Sequence, residues 1–243
     1  MNTATSPSRW IASAGAYDAW FDRPWGRHAV AIEHRLLLDA AGPVSGLVVL
    51  DAGCGTGRLM LRLESEGAAV IGVDRDSDTL AIARSRTVGT LVLGDTHQLP
   101  LPDRSIDVAF AVTVCEFTAD PARVFAELAR VTKPGGRVVV GSLNRNSPWG
   151  WWNRRQFTTP PWNTARFLDR RVLTDLGARH GRSRLSAGLY APGALPKLER
   201  WSPILEHLGR RLAPRLGTFQ VLTIELPSAG LDGDDWRHCD EHR

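Results

Sequence analysis

The chain has 243 residues, 43% hydrophobic and 23% charged, with a formal net charge of +4. That is ordinary globular composition, long enough to bury a core in one large domain or in one domain with a substantial cap. With no run approaching ~18 unbroken apolar residues it excludes a transmembrane helix, and three cysteines (Cys54, Cys115 and Cys239), odd in number and widely spaced, exclude a disulfide framework and zinc-ligand spacing.

In chain order, the polar stretch Met1–Trp10 lacks the apolar segment of a signal peptide and reads as a short disordered lead. Residues 17–39 read as helical, with Trp20, Phe21 and Trp25. Five continuous apolar runs follow as strands: Leu47–Leu50, Val70–Val73, Leu91–Leu93, Val108–Val112 and Val138–Val140. Their continuity, without polar alternation, predicts strands covered on both faces, as in a parallel sheet. Helices are predicted between them. One carries Leu59, Met60 and Leu63; a second carries Leu80 and Ala83 behind an Asp76 N-cap. A third carries Val124, Phe125, Leu128 and Val131, with Asp120 as N-cap and Pro121 in the first turn, where no N–H is needed. Lys133-Pro-Gly-Gly136 is read as the turn that ends it. The alternation β-α-β-α-β predicts a right-handed, doubly wound, mostly parallel α/β sheet.

After Leu143 the rhythm changes. Residues 144–166 are rich in Trp, Pro, Asn and Arg; a helix is expected over Phe167–Ala178 and a weaker strand over Arg184–Tyr190. A helix with Leu198, Trp201, Leu205 and Leu208 on one face precedes a sixth apolar run, Val221–Ile224. The division expected is a single domain: lead 1–10, N-terminal lid 11–45, core 46–143, cap 144–216, last strand 217–227 and tail 228–243. Arg145 to Arg215 holds 14 Lys and Arg against 4 Asp and Glu. That is either a solvated arginine-rich surface or an attraction to an anionic small molecule, lipid surface or nucleic acid.

The chemistry concentrates at Val49-Leu-Asp-Ala-Gly-Cys-Gly-Thr-Gly57, where the first strand turns into a helix. Glycines there permit unusual backbone angles and let a ligand lie against bare main chain. A dinucleotide site requires G-x-G-x-x-G, but Arg58 stands where the third glycine would be; a P-loop lysine is absent as well. Asp74 ends the second strand, 23 residues after Asp51, where a carboxylate can accept both hydroxyls of a ribose. Asp95 follows the third strand, where it can accept an exocyclic amine while Leu99 packs on the ring.

These pieces resemble the class I S-adenosylmethionine (SAM)-dependent methyltransferases, in the small-molecule subgroup similar to quinone-biosynthesis methyltransferases. The matching segments are Val49–Gly57, Gly72–Asp76, Gly94–Pro102, Ser105–Phe110 and Val131–Arg137, in family order across about residues 46–143. The resemblance implies a seven-stranded Rossmann-like sheet and SAM as cofactor, with a cofactor site of Tyr17, Asp51, Ala52, Gly53, Cys54, Gly55, Gly57, Asp74, Arg75, Asp95, Thr96 and Val112. Within it, Tyr17 reaches the SAM carboxylate from a lid helix, and Thr113–Phe117 borders the sulfonium and the acceptor. The family pattern often places His after the Glu116 position; Phe117 stands here and weakens a base assigned by analogy.

Candidate catalytic residues are Glu116, at a strand's carboxyl end, and His97, with Asn144 and His28 as further polar candidates. Cys54 and Cys115 have no nucleophile's partner and read as packing. Trp20, Trp25, Asn144, Trp149 and Trp152 are the expected acceptor-binding residues, with Trp151, Trp162 and nearby arginines. The expected partner is a small-molecule or lipid-like acceptor, without obligatory nucleic acid or metal, in the cytoplasm; peripheral contact with anionic surfaces and the oligomeric state stay open. The alternatives are an RNA or protein methyltransferase, a non-catalytic protein of the same fold, and an NAD(P)-dependent oxidoreductase.

Overall fold

The structure, a computed structural model, describes residue 15, residues 18–148, residue 151, residues 164–190 and residues 202–228. Helix α1 (Pro24–Ala41) leads into β1 (Val48–Ala52), α2 (Arg58–Ser65), β2 (Ala69–Asp74), α3 (Ser77–Arg84), β3 (Thr90–Leu93) and β4 (Ile106–Val112). A 3-10 turn (Cys115–Phe117), α4 (Pro121–Val131), β5 (Thr132–Leu143), α5 (Arg170–Gly177), β6 (Arg182–Gly188), α6 (Ser202–Leu212) and β7 (Phe219–Glu225) complete it. The strands form one seven-stranded sheet in the order β3-β2-β1-β4-β5-β7-β6. β1 to β5 pair in parallel, whereas β7 is antiparallel to both β5 and β6.

Both faces of the sheet are apolar because both are covered. Val49, Phe110 and Val139 point into one core with Leu37 of α1, Leu59, Met60 and Leu63 of α2 and Leu80 of α3. Their neighbours Leu50, Ala109 and Val140 point into the other, against Val124, Phe125 and Leu128 of α4 and Leu173 of α5. The chain winds away from β1 in both directions, to β2 on one side and β4 on the other, so a crevice opens at the carboxyl ends of β1 and β4.

The structure amends several expectations. The run Val221–Ile224 is a strand but an antiparallel one; continuous apolarity reports cover on both faces and says nothing of direction. The helix read over 17–39 is broken. Residues 18–21 are helical, Pro24 starts a new helix at its first turn, and Gly26 lies so close to the preceding turn that a Cβ would stand 2.2 Å from the Trp20 carbonyl oxygen. Lys133–Gly136 does not separate α4 from β5 but bulges within β5: Ile106 pairs with Thr132 and Val108 already with Arg137. Gly135 sits there at φ 76°, and its N–H donates to the Pro227 carbonyl at 3.1 Å. Leu208 on α6 is exposed; the helix buries Ser202 and Glu206 instead. Leu198 and Trp201 lie outside the described residues. Among the described residues, no helix is long and apolar enough to cross a membrane.

Phe110 is fully buried at the centre of β4. Phe110→Ala is expected to lower stability by about 3–5 kcal/mol, through lost burial and the cavity left behind, read by chemical denaturation.

Candidate functional site at the carboxyl ends of β1 and β4

The β1–α2 turn is bound to the tip of β2. Gly53 and Cys54 N–H groups both donate to the Val73 carbonyl, at 2.6 and 3.1 Å, and the Gly55 N–H donates to Asp74 Oδ2 at 2.8 Å. Gly53 has φ 76° and no room for a side chain, since a Cβ would meet Val114 at 2.4 Å. Gly55, at φ 51°, has nothing within 4 Å of where a Cβ would stand. That leaves bare, open backbone with room for a ligand to lie against it.

Asp74 holds Gly55 N–H on one oxygen and Asp76 N–H on the other, at 2.9 Å. A carboxylate has about four acceptor positions, so each oxygen keeps capacity for a hydroxyl. Burial raises its pKa, which the two N–H donors oppose. Asp51 is 2% exposed. Burial first, then the Asp74 charge, pushes it up to about 7. Two adjacent acids, only one of them near a cation (Arg75, beside Asp74), suit a positively charged ligand, which would relieve their repulsion. Ala52 is buried at the end of β1, Gly57 takes φ 76° as N-cap of α2, and Cys54 is a buried thiol whose pKa burial pushes upward.

A latch closes over the turn from the N-terminal side. Asp18 accepts from Arg58 Nε at 2.7 Å, Arg86 Nη2 at 2.9 Å and the Thr56 hydroxyl at 2.8 Å. Arg86 also donates to the Thr56 carbonyl at 2.6 Å, and Arg58 stacks 5.3 Å from the Phe21 ring centroid. Asp18 is partly desolvated, but its arginine and threonine donors outweigh that and hold its carboxyl well below the usual range. By resemblance Tyr17 is the residue expected here, but the one seen to reach the turn is its neighbour Asp18. Its partners lie 38 to 68 residues away, a separation that leaves no spacing signal.

On the other flank, exposed Arg75 only partly opposes the burial that raises Asp74, whereas Asp95 is lowered, first by the His97 N–H and least by Arg75. Asp95 Oδ1 accepts the His97 N–H at 2.9 Å and lies 2.7 Å from His97 Nδ1; His97 Nε2 contacts the Thr118 hydroxyl. Both ring nitrogens of His97 are thus engaged in bracing the Asp95 loop, with Thr96 half-buried between the two residues.

At the tip of β4, Val112 is half-buried, and Thr113 takes φ 51°, a left-handed conformation unusual for a residue with a branched Cβ. The turn delivers Glu116 inward, 1% exposed. Its Oε1 accepts the Leu143 N–H at 2.7 Å, while Oε2 is buried without a hydrogen-bond partner among the described residues. Burial pushes its pKa up to about 7, against the N–H groups of Leu143 and Glu116 and the Ser142 hydroxyl. Burial and the Glu116 charge push Glu33 of α1 up to about 7 as well. Glu33 was not among the expected site residues; its signal in the sequence is an acid among the apolar positions of α1. Cys115 is a buried thiol, its pKa raised by burial.

Trp20 and Trp25 pack half-buried against the core beneath α1, Trp25 tilted on His28, whose Nε2 lies 2.6 Å from the Ser202 hydroxyl. Asn144 is placed differently from an acceptor ligand. Its amide donates to the Arg215 and Gly217 carbonyls at 3.0 and 2.9 Å, and its Oδ1 accepts the Asn146 N–H at 3.0 Å, so it pins the chain before β7. Tyr17, Trp149, Trp152 and Trp162 lie outside the described residues.

Residues 50–140 match the family described as a methyltransferase domain. The chain is 33% identical over 151 residues to a malonyl-[acyl-carrier protein] O-methyltransferase of Serratia marcescens, covering 60% of this chain and 56% of that one. It is 36% identical over 121 residues to a ubiquinone biosynthesis O-methyltransferase of Sodalis glossinidius, covering 47% and 48%. The chain thus spans about half the length of these curated relatives. In fold it is similar to a SAM-dependent methyltransferase of Thermotoga maritima described as a possible histamine N-methyltransferase. That likeness has a TM-score of 0.72 at 24% identity, covering 90% of this chain and 98% of that one.

Two outcomes follow. Asp18→Ala is expected to release the N-terminal segment, seen as several-fold faster tryptic cleavage at Arg23 and Arg27; unchanged cleavage would mean that the latch does not hold it. Asp51, Glu33 and Glu116 have raised folded-state pKa values, so their contribution is fully present at acid pH and is lost as pH rises through about 7. Thermal stability is therefore expected to fall between pH 5.5 and about 7 and to level off above that. Asp51→Asn should remove roughly 2 kcal/mol of that fall.

Proposed function

The chain carries a class I SAM-dependent methyltransferase domain, and on that premise we propose that the whole protein transfers the SAM methyl group to an O, N or C atom of a small-molecule or lipid-like acceptor. The observation that carries the reading is the open backbone at Gly55 beside the Asp74 carboxylate. Main chain at Ala52, Gly53 and Gly55 receives the methionine portion, and Asp51 faces its positive charge. Asp74 accepts the ribose hydroxyls, and Asp95 with Thr96 marks the adenine. SAM supplies a methyl group already activated on a sulfonium. The protein's task is to orient the acceptor and exclude water, and positioning alone contributes roughly 7–11 kcal/mol in well-oriented systems.

The acceptor enters under α1, where Trp20 and Trp25 provide an apolar wall and Glu116 faces inward from the tip of β4. The relatives' names, a malonyl-[acyl-carrier protein] O-methyltransferase and a ubiquinone biosynthesis O-methyltransferase, support an acceptor of this kind. A dinucleotide reading is disfavoured because Arg58, in the place of the third glycine, is engaged by Asp18 and Asp22.

Calorimetry is expected to show binding of SAM and S-adenosylhomocysteine. Asp74→Ala should weaken both by about tenfold or more, as for lost hydrogen bonds to a charged group. If the wild-type chain binds NADH and neither of these ligands, the proposal is wrong.

A further inference from the structure

We propose that Asp18, bound to Arg58 and Arg86, is the fastening of a hinged strap beside the β1–α2 turn, and that its opening sets the rate at which S-adenosylhomocysteine leaves the site. The inference rests on the methyltransferase reading above and assigns residues to the step of cofactor exchange, which that reading leaves open.

One side of the fastening is a fixed seat, built from elements bound to one another. The β1–α2 turn is held on β2 through Gly53, Cys54 and Gly55. Arg86, in the loop after α3, donates to the Thr56 carbonyl of that turn at 2.6 Å. The same loop is tied to α2, where Glu64 accepts the Thr87 hydroxyl and, at 2.7 Å, the Gly89 N–H. Thr56, Arg58 and Arg86 thus present two guanidinium groups and a hydroxyl from a rigid surface. Among the described residues, the acids that pair with these two arginines, Asp18 and Asp22, both come from the strap.

The other side is the strap, residues 18–23. Residues 18–21 make a single helical turn. Arg23 is extended, at φ −72° and ψ 153°, and Pro24, which has no N–H, starts α1 afresh. The hydrogen-bond ladder of α1 therefore does not run into the strap, and the extended residue between them is a hinge. Beyond it the strap is held by Trp20, half-buried against the core, by Phe21 under the Arg58 guanidinium, and by Asp18. Arg58 Nη2 adds bonds to the Asp18 carbonyl and to Asp22 Oδ1, both at 2.9 Å.

The fastening lies at the edge of solvent. The side chains of Asp18, Arg58 and Arg86 are 14%, 24% and 21% exposed. It can open by exchanging charged hydrogen bonds for water while the sheet stays folded, which is the character of a locally opening segment. Its place gives the opening a consequence. Asp18 binds the Thr56 hydroxyl, one residue from the bare backbone of Gly55, so the closed strap flanks the place of the ligand. Closed, it helps to exclude water during transfer; open, it lets the product out. Asp18 acts here through Arg58 and Arg86 and is a positioning residue.

The test is the release rate of tritium-labelled S-adenosylhomocysteine from the full chain, chased with excess unlabelled ligand and followed by rapid filtration. Asp18→Asn keeps the shape and removes the charge, and Arg86→Gln removes the charged donor on the seat. Arg62→Gln, which breaks the exposed Arg62–Glu66 pair elsewhere on α2, is the control. Asp18→Asn and Arg86→Gln are each expected to speed release by about tenfold or more, as for a lost hydrogen bond between charged groups. The double variant should be no faster than the faster single one, because both open the same fastening. Salt gives a reading that a merely structural role would not move. S-adenosylhomocysteine lacks the sulfonium charge, so raising salt to about 0.5 M acts on the fastening: it should speed release from the wild type and leave Asp18→Asn unchanged. Wild-type release rates in both variants, or an equal rise in Arg62→Gln, overturn the strap. If a variant folds poorly, the wild type alone carries the test, and release that does not respond to salt overturns the proposal. Failure of the wild-type chain to bind S-adenosylhomocysteine in calorimetry would instead overturn the function on which it rests.

Discussion

The site depends on one constraint: the β1–α2 turn cannot leave the tip of β2. Three successive N–H groups, from Gly53, Cys54 and Gly55, are spent on the Val73 carbonyl and the Asp74 carboxylate. The parallel pairing of β1 with β2 places those acceptors one strand away, at the carboxyl end where both chains stop. The open side of Gly55 then faces the crevice, and the acid that steadies the turn is the same acid proposed to accept a ribose.

Around that fixed turn the molecule arranges two kinds of acid. Asp18 and Asp95 have basic partners, their pKa values are lowered, and they hold the loops around the turn in place. Asp51, Glu33 and Glu116 lack such partners among the described residues, and burial raises theirs. The division has a physical sense. A paired carboxylate contributes to the frame, whereas a buried acid held near neutrality responds to a cation or a proton that a ligand brings.

The sequence was most legible where function is local. The glycine turn, Asp74 and Asp95 stand in one segment at regular intervals, because each follows a strand of the same β-α repeat. Helix caps at Asp76 and Asp120 were legible for the same reason: a side chain caps N–H groups two or three residues away. Asp18 and Glu33 were not legible in this way. Their significance lies in partners brought close by the fold, Arg86 in one case and Glu116 in the other. Asn144 and His97 show the converse. Each looked like site chemistry by type and position, yet the structure engages their polar atoms in holding neighbouring loops.

By itself, then, the sequence determined the alternation of strands and helices, the cradle and the acids beside it, because hydrophobic period, turn glycines and caps act over a few residues. Tertiary structure alone decided the antiparallel direction of β7, the break before α1, the bulge inside β5 and the pairing of Asp18 with Arg58 and Arg86. Each of these is settled by which surfaces pack together across the fold, and an apolar run or a lone carboxylate carries no record of its distant neighbour.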